Sequence, residues 1–324
     1  MAWTASSRTI LTGYSKPSID LAKLLHILNG DAVQDSFSQS GIPGIVAIWR
    51  EALCTGPTSY RIGTTEWLSE RMQHLSVLDS AEQGQHRLEG ELQIIQSFRG
   101  DEVVLWFEYD LFCQINMFAA LAFLFQLDYS GQVTLVCAGR TGDAWLTLGQ
   151  FDKAMWQAGF NRRWSLQGRD LEFANQCWSA YCSDDHAGLS HFATQESSVF
   201  PYLALAIRNH FLRFPSRSTG LTEYEISLLE ILSQNPLPLQ KYLRRIFEAH
   251  HLIGYGDLQH LYFLQRLHPL CALVQGNYTL TEVGIETLQK GLPKHIIISR
   301  TEVFGGCLES QHFVEELEAL VGGT

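Results

Sequence analysis

Residues 24–37 read LLHILNGDAVQDSF, a short apolar run that ends at Asn29-Gly30-Asp31 and gives way to a helical pattern. A continuous apolar run of this kind is typical of a strand that is covered on both faces, as in a parallel sheet. Three similar runs follow: GIVAIW (44–49), EVVLWF (102–107) and QVTLVC (132–137). Because helical patterns lie between them, the sequence predicts a doubly wound, mainly parallel α/β domain, Rossmann-like in outline, over residues 22–145.

Beyond this domain the patterns are helical at first. No run between 149 and 214 resembles a strand. Thr222 and Glu225 have capping-box spacing, so a helix is expected from there to about Ser233. Two more helices are expected, the second with Asp257 as its N-cap, followed by a strand, a turn, a strand and a helix in CALVQGNYTLTEVGIETLQKG. The predicted organisation is a lead-in (1–21), the α/β domain (22–145), a helical section (146–220), a winged-helix-like domain (221–291) and a C-terminal extension (292–324).

Composition narrows the class of protein. The 324 residues are 46% hydrophobic, and the formal net charge is -11. An acidic chain lacks the clustered cations that general binding to nucleic acid or anionic lipid requires. The most apolar stretch, residues 117–127, is shorter than the roughly 20 residues that span a bilayer and is interpreted as a buried helix. Seven cysteines without a C-x-x-C pair indicate reduced thiols, and a cytoplasmic location is expected.

Polar residues follow three of the predicted strands. Asn29, Gly30 and Asp31 follow the first, Arg50 and Glu51 follow the second with Gly56-Pro57 beyond, and Glu108 and Asp110 follow the third. In an open α/β sheet, ligands bind beyond the carboxyl ends of the strands. The carboxylates predict a Mg²⁺ site, with Asp31 and Asp110 as its protein ligands and substrate phosphates completing the shell. Gly30 would admit an anion at a helix N-terminus, and Gln114 could hydrogen-bond a ligand.

Other roles for these residues stay open. One carboxyl with a raised pKa could act as a general acid or base, with His26 or Arg50 orienting the substrate. Asp31, with Gln34 three residues later, could instead be an N-cap. His26 faces the opposite side of the sheet from its neighbours and could be a hydrogen-bonded core residue. Cys54 or Cys113 could pair with His26 as a nucleophile, although a buried thiol is the commoner role.

Several motifs are missing or poorly spaced. The sequence has no G-x-G-x-x-G after a strand, no P-loop and no G-x-S-x-G elbow. Four possible zinc ligands lie close together in CWSAYCSDDHAGLSH: Cys177, Cys182, His186 and His191. The two cysteines would not share a helix face, so the spacing does not favour zinc.

The chain as a whole resembles an uncharacterised bacterial family known as a domain of unknown function. The resemblance rests on HILNGD (26–31), WREALC (49–54) with Gly56-Pro57, LWFEYDLFCQIN (105–116), and FPS with GLTEYE (214–225). It covers most of residues 24–308, and RTEVFGGCLES departs from the family pattern because it lacks flanking tryptophans. The resemblance implies a bacterial, cytoplasmic protein with no assigned activity. Its recurring polar positions are His26, Asn29, Gly30, Asp31, Arg50, Glu51, Gly56, Pro57, Asp110 and Gln114.

The functional expectation is a domain that binds a small anionic ligand, a nucleotide or sugar phosphate, with Mg²⁺-assisted phosphoester chemistry if it is an enzyme. The competing expectation is a non-enzymatic regulator or scaffold. Its winged-helix-like region would contact a protein partner or a short DNA site through Lys241, Arg244 and Arg245. DNA is the less favoured partner because the candidate recognition helix, DLQHLYFLQRLH, has one arginine. A third expectation makes the acidic edge a subunit interface.

Overall fold

The computed structural model describes residues 23–78, 81–195 and 197–322, so the predicted lead-in lies outside the described residues. In chain order the elements are β1 (Leu24–Asn29), α1 (Gln34–Ser38), β2 (Ile45–Trp49), β3 (Gly56–Pro57), α2 (Thr65–Leu78), α3 (Ala81–Ser97), β4 (Glu102–Glu108), α4 (Leu111–Gln126), β5 (Gln132–Ala138), β6 (Arg140–Thr141), β7 (Ala144–Trp145), α5 (Lys153–Asn161), β8 (Trp164–Leu166), α6 (Gly168–Cys182), α7 (His186–Thr194), α8 (Leu203–Phe211), α9 (Glu223–Gln234), β9 (Leu237–Pro238), α10 (Leu239–Ala249), α11 (Asp257–Arg266), β10 (Cys271–Val274), β11 (Asn277–Leu280), α12 (Glu282–Lys290), β12 (Val303–Gly305), β13 (Cys307–Leu308) and α13 (Val314–Gly322).

The four predicted strands form one mainly parallel sheet, as expected. Its strand order is β2-β1-β4-β5-β8, and β8 is the antiparallel member. Ile27 lies at the centre of β1, in register with Ala47 of β2 and Leu105 of β4. The chain therefore leaves β1 toward one side for β2 and returns to its other side for β4. This reversal makes the carboxyl ends of β1 and β4 the topological switch point, where ligands bind in open α/β sheets.

Helices cover both faces of the sheet. On one face, Leu25 and Ile27 pack into the larger core, which includes most of α4. On the other face, Trp106 packs with Phe37 of α1 and Trp156 of α5 in a smaller core. Each large apolar side chain that is fully buried here contributes roughly 1.5 to 3 kcal/mol. The apolar stretch 117–127 lies in and just after α4, as predicted, and none of the described helices has the length and apolarity to cross a membrane.

The expectation of no strand between 149 and 214 was wrong, because β8 pairs with β5 there. Leu166 lies opposite Val133, and Trp164 lies opposite Leu135. Only Leu166 of the three β8 residues is buried. A short edge strand needs few apolar residues because one of its sides faces solvent, so β8 gives no recognisable apolar run. Its presence extends the sheet past residue 145.

The C-terminal half consists of helices and small sheets. The capping box is confirmed: Thr222 Oγ1 accepts a hydrogen bond from the Glu225 amide at 3.0 Å, and Glu225 accepts one from the Thr222 amide at 3.0 Å. The N-cap of α11 is Gly256 rather than Asp257. Strands β10 and β11 form the expected hairpin, with β9 completing a three-stranded sheet. The hairpin turns at Gln275 and Gly276, both of which have positive φ.

The C-terminal extension returns to the α/β domain. Strand β12 pairs in parallel with β3, so that Phe304 lies in register with Gly56, and it also pairs with β13. The hairpin of β12 and β13 lies against the end of α6, since the Gly306 amide donates to the Tyr181 carbonyl at 3.1 Å. A Cβ on Gly306 would lie only 2.1 Å from the Cys182 carbonyl oxygen. A glycine is therefore required for this close contact.

Candidate functional site

Three potential ligand groups meet beyond the switch point. Their side chains, Glu108, Asp110 and Cys113, approach one another within 4.8 Å, and we call them the switch-point cluster. Glu108 ends β4, and Asp110 is the N-cap of α4, where its Oδ1 accepts from the Cys113 amide at 2.8 Å. A strand end and a helix cap therefore fix two carboxyls side by side.

Both carboxyls hold their protons unusually tightly. Burial, followed by repulsion from Asp110, raises the pKa of Glu108 to about 7. Burial raises the pKa of Asp110 to about 6. Burial, followed by the charges of Asp110 and Glu108, raises the pKa of the Cys113 thiol well above its usual range. The two carboxyls therefore have pKa values near neutral pH, whereas the thiol stays protonated there, and a cation placed between the carboxyls would favour their ionised forms.

A loop from the C-terminal half covers one side of the cluster. The Leu111 and Phe112 amides at the start of α4 donate to the carbonyls of Leu252 and Ile253, at 2.9 and 3.0 Å. A Cβ on Gly254, whose φ is +75°, would lie 2.2 Å from Asp110 Oδ1. Asp110 is therefore shielded on the side of this loop, whereas Glu108 stays partly exposed.

Asn29 joins the cluster from β1. Its Nδ2 donates to Cys113 Sγ at 2.9 Å, and its Oδ1 accepts from Asn116 Nδ2 at 2.9 Å. Asn116 also donates to the Glu51 carbonyl at 2.6 Å and accepts from the Leu53 amide at 3.2 Å. This buried amide of α4, absent from the predicted site, connects the carboxyl ends of β1 and β2.

Asp31 and Arg50 form an ion pair at the rim of the sheet. Arg50 Nη2 lies 2.7 Å from Asp31 Oδ1, and the guanidinium also pairs with Glu91 of α3, a residue absent from the predicted site. The N-cap of the 3-10 turn at 31–33 is Gly30, and no side chain in the described structure caps it. Asp31 is therefore a partner of Arg50 and not a cap. It belongs to neither cluster of three or more potential metal ligands among the described residues, whereas Asp110 belongs to one.

His26 is a fully buried member of the smaller core. Its Nδ1 accepts from the Trp106 indole at 3.1 Å, and its Nε2 lies 3.0 Å from the Pro43 carbonyl. Because Nδ1 accepts, the proton is on Nε2, which donates to Pro43. Burial lowers the pKa of His26. Both ring nitrogens thus form hydrogen bonds within the core, which agrees with the alternative interpretation of His26 as a hydrogen-bonded core residue.

The remaining predicted residues lie beyond β2 and in α4. Glu51 forms a buried ion pair with Arg71 of α2 at 2.9 Å. Gly56 and Pro57 line a cavity of about 160 Å³ with His74, Gln259 and Glu302. A Cβ on Gly56 would lie 2.3 Å from the His74 ring.

Gln114 belongs to the switch-point region through its amide nitrogen. It donates to the Glu108 carbonyl at 2.6 Å. Its Oε1 has no hydrogen-bond partner among the described residues, and the side chain lines an apolar cavity of about 30 Å³ between α4, α6, α7 and α8. Gln114 therefore positions the end of β4.

Neither predicted cysteine has the surroundings of a nucleophile. Burial raises the pKa of Cys54 to about 12, and Cys113 is similarly shifted. His26 lies on the opposite face of the sheet, with both nitrogens bonded. A reactive cysteine needs a lowered pKa, so these residues are buried thiols.

No protein-family model matches the sequence, and no curated protein matches it. The family resemblance stays a prediction.

Proposed function

We propose that the chain binds a small anionic ligand, a nucleotide or a sugar phosphate, at the switch point, and holds it through Mg²⁺ at Glu108 and Asp110. The observation that carries the proposal is the approach of these carboxyls and Cys113 within 4.8 Å. Their position agrees with the place where open α/β sheets bind ligands. Glu108 replaces Asp31 beside Asp110 in this proposal, since Asp31 pairs with Arg50.

The residues present suit Mg²⁺. This ion is usually held by one or two carboxylates, while waters and substrate phosphates fill the other positions. The Cys113 thiol, whose pKa is raised, would stay protonated and outside the shell. The ionised carboxyls would otherwise repel each other, and the cation removes that repulsion. Arg50 lies at the same rim, where Asp31 and Glu91 already pair with its guanidinium, so an anionic ligand would compete with these carboxylates for it.

If the protein is an enzyme, the same pair supports phosphoester chemistry. A carboxyl with a pKa of about 7, such as Glu108, can give or accept a proton at neutral pH. Its partial exposure leaves it within reach of a ligand, whereas Asp110 is shielded by Gly254. In the metal-free site Glu108 would then be the general acid or base, and Asp110 would raise its pKa through charge. With Mg²⁺ bound, both carboxyls would instead be ionised ligands, and the ion would supply the polarisation of the phosphoester.

Electron paramagnetic resonance with Mn²⁺, which suits the same oxygen ligands, tests the cation site. We expect one Mn²⁺ per wild-type chain and none in Asp110→Asn or Glu108→Gln. Asp152→Asn is the matched control, because Asp152 is an exposed N-cap that accepts from Met155 at 2.8 Å. Equal Mn²⁺ binding by all four proteins, or none by wild type, would refute the cation site.

Calorimetry then tests the ligand. We expect ADP or glucose 6-phosphate, used as probes, to bind in Mg²⁺ and to lose that binding in EDTA. Asp110→Asn should remove the Mg²⁺-dependent binding, and Asp152→Asn should retain it. Binding that is indifferent to both EDTA and Asp110 would place the ligand elsewhere.

A second candidate function rests on residues 221–291. We infer that this region forms a winged-helix domain, and the sheet order β10-β11-β9 supports the inference. The domain would consist of α9, β9, α10, α11, β10, β11 and α12. Its α11 faces inward: Gln259 donates to Thr55 Oγ1 at 3.2 Å, and Arg266 pairs with Glu309 at 2.7 Å. A helix held in this way is poorly placed for a DNA groove. The domain therefore suits a protein contact better.

The exposed cations of α10 provide the test of this candidate. Lys241, Arg244 and Arg245 are all exposed, and Arg244 pairs with Glu248 at 3.0 Å. Reversing the three charges should abolish binding to a protein partner while Mn²⁺ binding persists. Unchanged partner binding would remove the support for this role.

We also infer a bacterial cytoplasmic location, supported by seven described cysteines that are all free thiols.

A further inference from the structure

Four potential metal ligands converge where the C-terminal extension meets the turn between α6 and α7. They are Asp184, His186, Cys307 and His312, and their ligand atoms lie within 4.8 Å of one another. Asp184 and His186 flank the N-cap of α7, Cys307 begins β13, and His312 follows a 3-10 turn. Two pairs of ligands more than 100 residues apart in sequence thus meet at one point.

The geometry of the pair Asp184 and His186 is unusual. His186 Nδ1 lies 3.0 Å from Asp184 Oδ1, and His312 Nε2 lies 3.1 Å from Asp184 Oδ2. His186 is only 5% exposed. Yet neither His186 Nδ1 nor Asp184 Oδ1 has a hydrogen-bond partner among the described residues. The two atoms are close without the alignment of a hydrogen bond, as expected when both point at a common third centre.

Leaving such atoms unpaired is costly. A buried polar group without a partner costs about 1 to 3 kcal/mol. Among the described residues, the rings around His186 give its Nδ1 no hydrogen bond: the His186 ring stacks on His210 at 5.6 Å and meets Phe214 and His312 at its edges. A bound cation would satisfy both atoms at once.

We propose that Asp184, His186, Cys307 and His312 bind one Zn²⁺ ion. The set offers one oxygen, two imidazole nitrogens and one sulfur, which are the ligand types of zinc and a poor match for Mg²⁺. With ordinary zinc bond lengths, tetrahedral ligands lie about 3.3 to 3.7 Å apart. The present separations, from 3.0 Å between Asp184 and His186 to no more than 4.8 Å within the set, lie on both sides of that range, so binding would spread the closest pair and draw the others in. Zn²⁺ with one carboxylate, one thiolate and two neutral imidazoles carries no net formal charge. It therefore adds no charge to a half-buried site near the buried Arg213, which contacts the His210 ring that stacks on His186.

Four protein ligands close the shell, so the zinc is structural and not catalytic. Its role follows from what the C-terminal extension contacts. Glu302 accepts from the Gly56 amide at 3.1 Å, and β12 pairs with β3. The same segment lines the cavity of about 160 Å³ at Gly56 and Pro57. One wall of this cavity is formed by the C-terminal extension. Zinc would therefore hold this wall in place by linking the extension to the turn between α6 and α7.

Metal analysis and cobalt spectroscopy of the full chain test the proposal. We expect purified wild-type protein to hold one zinc per chain. After zinc is removed with a chelator, added Co²⁺ should give the intense visible bands of a tetrahedral site and a thiolate-to-cobalt charge-transfer band. Cys307→Ser should lose the charge-transfer band, and His186→Gln should weaken zinc affinity by more than about 100-fold, beyond the effect of losing an outer-shell partner.

Matched variants separate this site from others. Cys182→Ser removes a neighbouring thiol that is outside the cluster, and Asp110→Asn disables the switch-point cluster. Both should retain one zinc and the cobalt spectrum. A wild-type chain that carries no zinc and gives no tetrahedral cobalt spectrum would overturn the proposal, as would equal loss of metal in Cys182→Ser and Cys307→Ser. Neither result bears on Mn²⁺ binding at Asp110, so the two sites stand or fall separately.

Discussion

Glu51 and Arg71 form an ion pair that is completely removed from solvent. Their Oε2 and Nη2 atoms are 2.9 Å apart, and neither side chain is exposed. The same guanidinium donates to the carbonyls of Thr55 and Pro57 at 3.0 and 2.8 Å. Arg71 thus fixes the loop that leads from β2 to the cavity at Gly56. The sequence pattern predicts Glu51 as a ligand-site residue, whereas in the structure it is the ion-pair partner of the buried Arg71.

Glu51→Gln should therefore destabilise the protein strongly. Removing one partner leaves the other as an uncompensated buried charge, which costs about 3 to 5 kcal/mol. Equilibrium unfolding in urea measures this loss. Glu248→Gln, which breaks the exposed pair with Arg244, should cost less than about 1 kcal/mol. If both variants lost similarly little, the buried pair would not be holding the loop.

Asp31→Asn should leave stability nearly unchanged. Asp31 is exposed and its ion pair with Arg50 lies at the rim, where such a pair is worth roughly 0 to 1 kcal/mol. Gly30 rather than Asp31 occupies the N-cap, so no capping energy is lost. Urea unfolding checks the stability, and calorimetry with ADP and Mg²⁺ checks the ligand. A loss of several kcal/mol would contradict this account of Asp31. Weaker ADP binding with intact stability would instead indicate that Asp31 positions Arg50 for the ligand.

His26→Leu should lower stability without changing Mn²⁺ binding. The substitution leaves the Trp106 indole N–H without its acceptor, at a cost of about 1 to 3 kcal/mol. Because burial lowers the folded pKa of His26, its contribution is present above the unfolded value of 6.5 and is lost as pH falls below it. The variant should thus lose less stability than wild type between pH 7 and pH 5. Loss of Mn²⁺ binding at unchanged stability would instead return His26 to the ligand site.

The sheet was predictable because its signal is local. Each central strand is buried on both faces, so it carries a continuous apolar run that can be recognised without its neighbours. Strand β8 was missed because an edge strand with one buried residue carries no such run. The capping box at Thr222 was predictable for the same reason as the sheet, since all its atoms lie within four residues.

The sites depend on distant partners. His186 was visible in the sequence beside Cys177 and Cys182, but its partners Cys307 and His312 come from the other end of the chain. Similarly, the strand-end rule grouped Asp31 with Asp110, whereas side-chain direction pairs Asp31 with Arg50 and leaves Asp110 beside Glu108. Chain position after a strand predicts the edge on which a residue lies. It does not predict which neighbour the side chain reaches, because that depends on packing.

The final prediction concerns the pH dependence that Asp110 gives to stability. Its pKa is 3.8 when unfolded and about 6 when folded, mainly because of burial. The folded chain therefore holds an extra proton between these values, and this contribution is full below pH 4 and is lost as pH rises through 6. The difference between these two pKa values corresponds to about 3 kcal/mol in the free energy of unfolding.

Asp110→Asn removes this titration while Asn keeps the ability to cap α4. Its stability relative to wild type should therefore rise by about 3 kcal/mol between pH 4 and pH 7 in EDTA. Urea unfolding at each pH gives the difference, and Asp152→Asn should show no such trend. Adding Mg²⁺ at pH 7 should stabilise wild type but not Asp110→Asn, because a cation between Glu108 and Asp110 offsets the cost of ionising them. A difference that is flat with pH would mean that Asp110 is not held in a desolvated site. If the difference varies with pH as expected but Mg²⁺ does not stabilise wild type, Asp110 is buried as described and does not bind the cation.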